Sequence, residues 1–80
     1  MLKKSDIEAI IKEVFCELRL RWEVFYVEFD FPNHRWWVRA RLPDHSDVFA
    51  DLYVNKGLRD VVKKSFEEDV KCKLQELDSK

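Results

Sequence analysis

From Arg35 to Leu42 the chain alternates without exception: Trp36, Val38, Ala40 and Leu42 fall on one side of an extended backbone, and Arg35, Trp37, Arg39 and Arg41 on the other. A period of two belongs to a strand with one face in a core and one outside it. Such a strand cannot bury its apolar side alone. The rest of the chain must supply both pairing strands and a cover for the inner face.

The neighbouring segments answer the first need. From Glu23, period two predicts Phe25, Val27, Phe29 and Phe31 on the inner face and Val24, Tyr26, Glu28 and Asp30 on the outer, followed by a turn at Pro32 and Asn33. After Pro43 and the polar turn Asp44, His45, Ser46, a third strand sets Val48, Ala50, Leu52 and Val54 inward and Phe49, Asp51 and Tyr53 outward. Short connections make the three an antiparallel meander.

Two helical stripes answer the second need. Ser5 followed by Glu8 has the spacing of a capping box, and Ile7, Ile10, Ile11, Val14, Phe15 and Leu18 then recur at three and four, predicting a helix to about Leu20. Beyond Asn55 and Gly57, the residues Leu58, Val61, Val62, Phe66, Val70, Leu74 and Leu77 trace a second stripe. The far end of that helix, at Leu74 and Leu77, outreaches a short sheet and offers either a frayed terminus or a contact for a second copy, a homodimer. The expected fold is α+β in the order α-β-β-β-α, with both helices on one face of the meander. Eighty residues can bury only one core, so a single domain over residues 1–80 is expected.

Such a fold leaves the outer sheet face uncovered. It carries Tyr26, Trp37, Phe49 and Tyr53 among Arg35, Arg39 and Arg41, bordered by Glu28, Asp30, Asp47 and Asp51. Tryptophan, tyrosine and arginine are the residue types enriched at the energetic centres of protein interfaces, which makes these seven aromatic and arginine positions a candidate protein-binding site. The competing reading is structural: aromatics suit a pleated surface and the charges pair across strands. Stacking of single-stranded bases is disfavoured by charge, since three arginines meet four carboxylates where phosphates would need a positive surplus.

The most basic stretch lies at the start of the second helix, where Lys56, Arg59, Lys63 and Lys64 accompany only Asp60. Together with the element order and the loop Phe31-Pro32-Asn33-His34, this stretch resembles the double-stranded-RNA-binding domain, a helix, three strands and a helix with a Gly-Pro-x-His loop and a Lys-Lys pair at the second helix start. The resemblance implies an alternative nucleic-acid site of His34, Lys56, Arg59, Lys63 and Lys64. The sequence departs from that pattern at Phe31, in place of the glycine, and at Glu67, Glu68 and Asp69, which follow the lysines.

Other classes find less support. Asp44, His45, Ser46 and Asp47 have the side chains of a hydrolytic site, but adjacent turn residues rarely reach one another as nucleophile and base do. His34 and His45 fall in loops at opposite ends of the meander, and Gly57 is the sole glycine, which argues against a phosphate loop. The reading is therefore non-enzymatic, with no cofactor and no metal. Cys72 lies between Lys71 and Lys73, where neighbouring ammonium groups favour a thiolate, yet no resolving cysteine is near. It and Cys16 read as free thiols of a cytoplasmic protein, because no apolar run suits a secretory signal or a membrane span. With 15 basic against 16 acidic residues there is no long-range field to draw in nucleic acid or an anionic membrane. The expected partner is another protein, bound by a small inhibitor or adaptor. By analogy of size and composition, such a module is similar to phage anti-defence proteins, anti-CRISPR-like ones among them, and to toxin-immunity proteins.

Overall fold

The computed structural model of the protein describes residues 2–78 and has the expected α+β architecture. Helix α1 (Lys4–Glu17) leads into strand β1 (Glu23–Asp30), a 3-10 turn (Phe31–Asn33) and strand β2 (Arg35–Leu42). A second 3-10 turn (Pro43–His45), strand β3 (Val48–Asn55) and helix α2 (Arg59–Asp78) follow. The strands form one antiparallel sheet in the order β1-β2-β3. Among the described residues no helix is long and apolar enough to cross a membrane.

The core lies between the inner sheet face and the two helices. Ile7, Ile10, Ile11, Val14 and Phe15 of α1 and Val62, Phe66 and Val70 of α2 are buried with Val27, Val38, Ala40, Leu42, Ala50, Leu52 and Val54 of the sheet. Full burial of each large aliphatic or aromatic side chain is worth about 1.5–3 kcal/mol, which is what holds two amphipathic helices on a sheet this small. Trp22, in the α1–β1 connection, is buried too and meets Phe15 edge-on with 5.4 Å between ring centroids. No periodicity marks it, because it belongs to neither a helix nor a strand.

Both ends of α1 differ from expectation. The backbone N–H of Lys3 donates to the Asp6 carboxylate at 2.9 Å, so the helix starts before Ser5, and the Ser5–Glu8 capping box gives way to this earlier cap. At the other end Leu20 N–H donates to the Phe15 carbonyl and Arg19 N–H to that of Cys16, with Arg19 at φ 56°. This paired closure with a left-handed residue ends the helix before Leu20.

The main departure lies in β1. Val24 pairs with Ala40 and Tyr26 with Arg39, leaving Phe25 as the extra residue of a β-bulge. A bulge reverses the facing of everything on one side of it. Glu23 and Phe25 therefore lie on the outer face and Val24 on the inner, the opposite of strict alternation. The reversal relieves a conflict, since alternation would have turned the Glu23 carboxylate toward the core. Two smaller corrections follow from the sheet's length. Phe31 leaves the strand for the 3-10 turn and is 73% exposed, and Leu58 and Val61 lie beyond the sheet edge and face water. Leu74 and Leu77, by contrast, pack partly buried against the chain's own core.

Candidate functional site

The seven residues expected on the outer face, Tyr26, Arg35, Trp37, Arg39, Arg41, Phe49 and Tyr53, are all there, brought together by cross-strand pairing. Trp37 lies opposite Glu28 on one side and Tyr53 on the other, Arg39 opposite Tyr26 and Asp51, and Arg41 opposite Glu23 and Phe49. Neighbours on one face of antiparallel strands are close enough for side chains to interact directly, and here each of the seven does so with at least one other side chain of the face.

Its middle is an aromatic and hydrogen-bonded unit. The Tyr26 ring stands at 87° to Trp37 with 5.0 Å between centroids, an edge-to-face arrangement, and the indole N–H of Trp37 donates to Asp51 Oδ1 at 3.1 Å. The Arg35 guanidinium lies 3.7 Å from the centroid of the Tyr53 ring, and that of Arg39 lies 5.2 Å from the Phe49 ring. Both distances are within cation–π range. Trp37, Tyr26 and Tyr53 are thus partly buried by their own neighbours.

Every arginine of the face also has a carboxylate. Arg35 approaches Asp30 and Arg39 approaches Asp51, both at 3.7 Å, while Arg41 makes a 2.8 Å ion pair with Glu23 and a longer one, 3.7 Å, with Asp47. The Tyr26 side chain, and then the Asp51 charge, push the Arg39 pKa up; the hydrogen bond that Arg41 donates to Glu23, with the Glu23 charge, does the same for Arg41. With Glu23 brought in by the bulge, three arginines stand against Glu23, Glu28, Asp30, Asp47 and Asp51, a surplus of two negative charges.

What the pairing leaves unmet is apolar area at one end of the face. Phe25 and Phe49 meet edge-on, 4.9 Å between centroids, and remain 54% and 48% exposed. Sequence reasoning missed Phe25 as a site residue because Val24-Phe25-Tyr26-Val27 is apolar or aromatic throughout and hides its own parity. The available signal was Glu23, a charge that strict alternation would have placed inward.

The residues of the alternative nucleic-acid site divide into two groups. His34, at φ 50° in the β1–β2 turn, and Lys56 lie at the same end of the sheet, since Arg35 pairs with Asn55. Arg59 reaches Glu13 of α1 at 2.8 Å, and Lys63 reaches Glu17 at 2.7 Å and Glu13 at 3.5 Å, so their charges are engaged within the chain. Lys64 is exposed. In the β2–β3 turn no hydrogen bond among the described residues joins His45 to Ser46 or to a carboxylate, and Asp47 is turned toward Arg41. Among the described residues no group of three or more histidines, cysteines or carboxylates is placed to hold a metal ion. Cys16 and Cys72 are exposed, free and on different helices.

No protein-family model matches the chain, and no curated protein or solved structure is significantly similar to it.

Proposed function

We propose that the chain is a non-catalytic protein-binding module that engages its partner through the outer face of the sheet. The observation that carries this reading is the exposed Phe25–Phe49 pair set in a face whose arginines are already paired. A surface kept only for solubility has no reason to hold two phenylalanine rings half in water, and contiguous apolar area on a small protein marks interaction sites. Because the surrounding tyrosine, tryptophan and arginine side chains already pack on one another, docking costs them less rotamer entropy than it would cost free side chains. The surplus of negative charge selects a partner whose apolar patch is rimmed by lysine or arginine. An inhibitor or adaptor role in the cytoplasm, of the anti-defence or immunity kind, suits one adhesive face and two unpaired thiols.

The test is affinity capture with purified chain, read by mass spectrometry and repeated with Phe25→Ala, Phe49→Asp and, as a surface control on α2, Val61→Asp. A true partner is retained by wild type and the control, weakened by about 2 kcal/mol or more with Phe25→Ala, and lost with Phe49→Asp while circular dichroism is unchanged. Undiminished retention by both phenylalanine variants removes the proposal. Light scattering on the same samples identifies the case in which the partner is a second copy. Salt-steep binding to double-stranded RNA, abolished by combining Lys63→Glu and Lys64→Glu, would transfer the function to the basic stretch.

A further inference from the structure

At the end of the sheet remote from the β2–β3 turn, three segments part and leave a cavity of about 710 Å³. Its wall comes from Ile7 and Leu2 at the start of the chain, from Phe29 and Trp36 on the last inner pair of β1 and β2, and from Phe31 and Leu58 at the lip. The aromatic part is packed ring against ring. Phe29 meets Phe31 edge-on at 4.8 Å and Trp36 at 5.3 Å between centroids. Phe31 and Leu58 are 73% and 78% exposed, so the apolar surface runs from the interior out to the rim. Volume and lining both fall within the range of pockets that hold small organic molecules, which are mostly apolar with a few placed polar groups.

Those polar groups are Asn55, the last residue of β3, and Lys56, on the connection to α2, where Gly57 at φ 151° turns the backbone across the cavity edge. The Lys56 ammonium lies 4.9 Å from the centroid of the Phe29 ring, and among the described residues it has no carboxylate partner. That sets it apart from Arg59 and Lys63 further along α2, each tied to a glutamate of α1. Among the described residues the cavity thus has one uncompensated positive charge, lying over an aromatic ring at the mouth of an apolar space. A neutral apolar occupant would strip water from that ammonium and return nothing, whereas an anionic group restores the lost interaction.

From the apolar wall and the Lys56 ammonium at its mouth, we propose that this cavity binds an amphipathic monocarboxylate, an alkyl chain on the Phe29–Trp36 floor with its carboxylate against Lys56. The site is separate from the outer sheet face and does not depend on that face binding a protein. The probe is octanoate, with octanol as its neutral counterpart, titrated into the full chain below the micelle concentration and followed by amide and indole NMR. Octanoate should give saturable shifts at Gly57, Leu58 and the Trp36 indole N–H. Octanol should bind about three- to fivefold more weakly, the scale of a solvent-accessible ion pair, and Lys56→Gln should bring octanoate down to the octanol value. Leu58→Asp should block both ligands without altering the fold, since that side chain is exposed. Absence of saturation at those three groups, equal affinity of the two ligands for wild type, or shifts that follow protein concentration alone, as a second copy seated in the cavity would give, each overturns the assignment.

Discussion

The Phe25 ring stands edge-on to the Phe49 ring across the strand that separates their own, 4.9 Å from centroid to centroid. The contact exists only because Phe25 is the unpaired residue of a bulge, pushed to the side of the sheet that alternation would deny it. The bulge thus performs two tasks at once: it carries the Glu23 carboxylate out to Arg41, and it adds an aromatic ring to the open face.

Deletion of Phe25 should therefore be tolerated. Without it Val24 and Tyr26 become neighbours that already face inward and outward, so the β1–β2 register closes with no other side chain changing sides. The expected loss is about 0.5–1.5 kcal/mol, the value of the aromatic pair, with cooperative urea unfolding preserved. Deletion of Ala40 in the central strand has no bulge to absorb it and turns an arginine toward the core, which should abolish folding. A Phe25 deletion as damaging as that of Ala40 would contradict the bulge.

Arg19→Gly should stabilise the protein. Arg19 is exposed at φ 56° in the turn that closes α1, where an L-residue carries about 1–2 kcal/mol of steric cost. Glycine removes that cost and adds about 0.5–1 kcal/mol of chain entropy in the unfolded state, leaving a net gain of about 0.5–1 kcal/mol. A urea midpoint that moves up with an unchanged slope is the expected result; a lower midpoint would show that the arginine side chain contributes something the turn geometry does not.

The elements that could be read from sequence were those in which a single periodicity ran uninterrupted. Strand β2 alternates cleanly and came out residue for residue, and the Ile7–Phe15 and Val62–Val70 stripes identified the buried helix faces. What resisted reading was set by local backbone geometry. The helix stop at Arg19 lacks the usual glycine, Trp22 lies in a connection with no period, and the apolar run in β1 gives no sign of where parity reverses. On the outer face, composition was enough to nominate the arginines and large aromatics. It could not show that the arginines are already paired, nor that the most exposed rings are Phe25 and Phe49 and not Trp37.

Asp69→Asn should raise stability at neutral pH. Loss of hydration where Asp69 lines the groove between α2 and β3, although the residue as a whole is exposed, and secondly the neighbouring Glu68 charge, push its carboxyl above the ordinary 3.8. A carboxyl whose folded pKa is raised binds its proton more tightly in the native state, so stability falls as pH rises from 3.8 through the folded value. The advantage of asparagine should be complete above that window and vanish below it. Thermal midpoints of the two proteins measured from acid to neutral pH check the sign, and a difference independent of pH would assign the effect to packing.

Lys63 should make the opposite contribution at the alkaline end. Its ammonium joins the helices, reaching Glu17 and Glu13, and the hydrogen bond to Glu17, with the charges of both glutamates, raises its pKa above the ordinary 10.5. The native state holds this proton more tightly than the unfolded chain. The stabilisation is accordingly full below 10.5 and disappears as pH rises through the folded value. Lys63→Met keeps the aliphatic stem that packs along the helix and removes only the charge. It should therefore lower the thermal midpoint at neutral pH and flatten the decline above pH 10.5, so that the curves for the two proteins converge in strong alkali. High salt should also narrow the gap at neutral pH, because the pair is partly exposed to water. Parallel curves that never converge would mean that the methionine disturbs packing and that the α1–α2 contact stands without the ion pair.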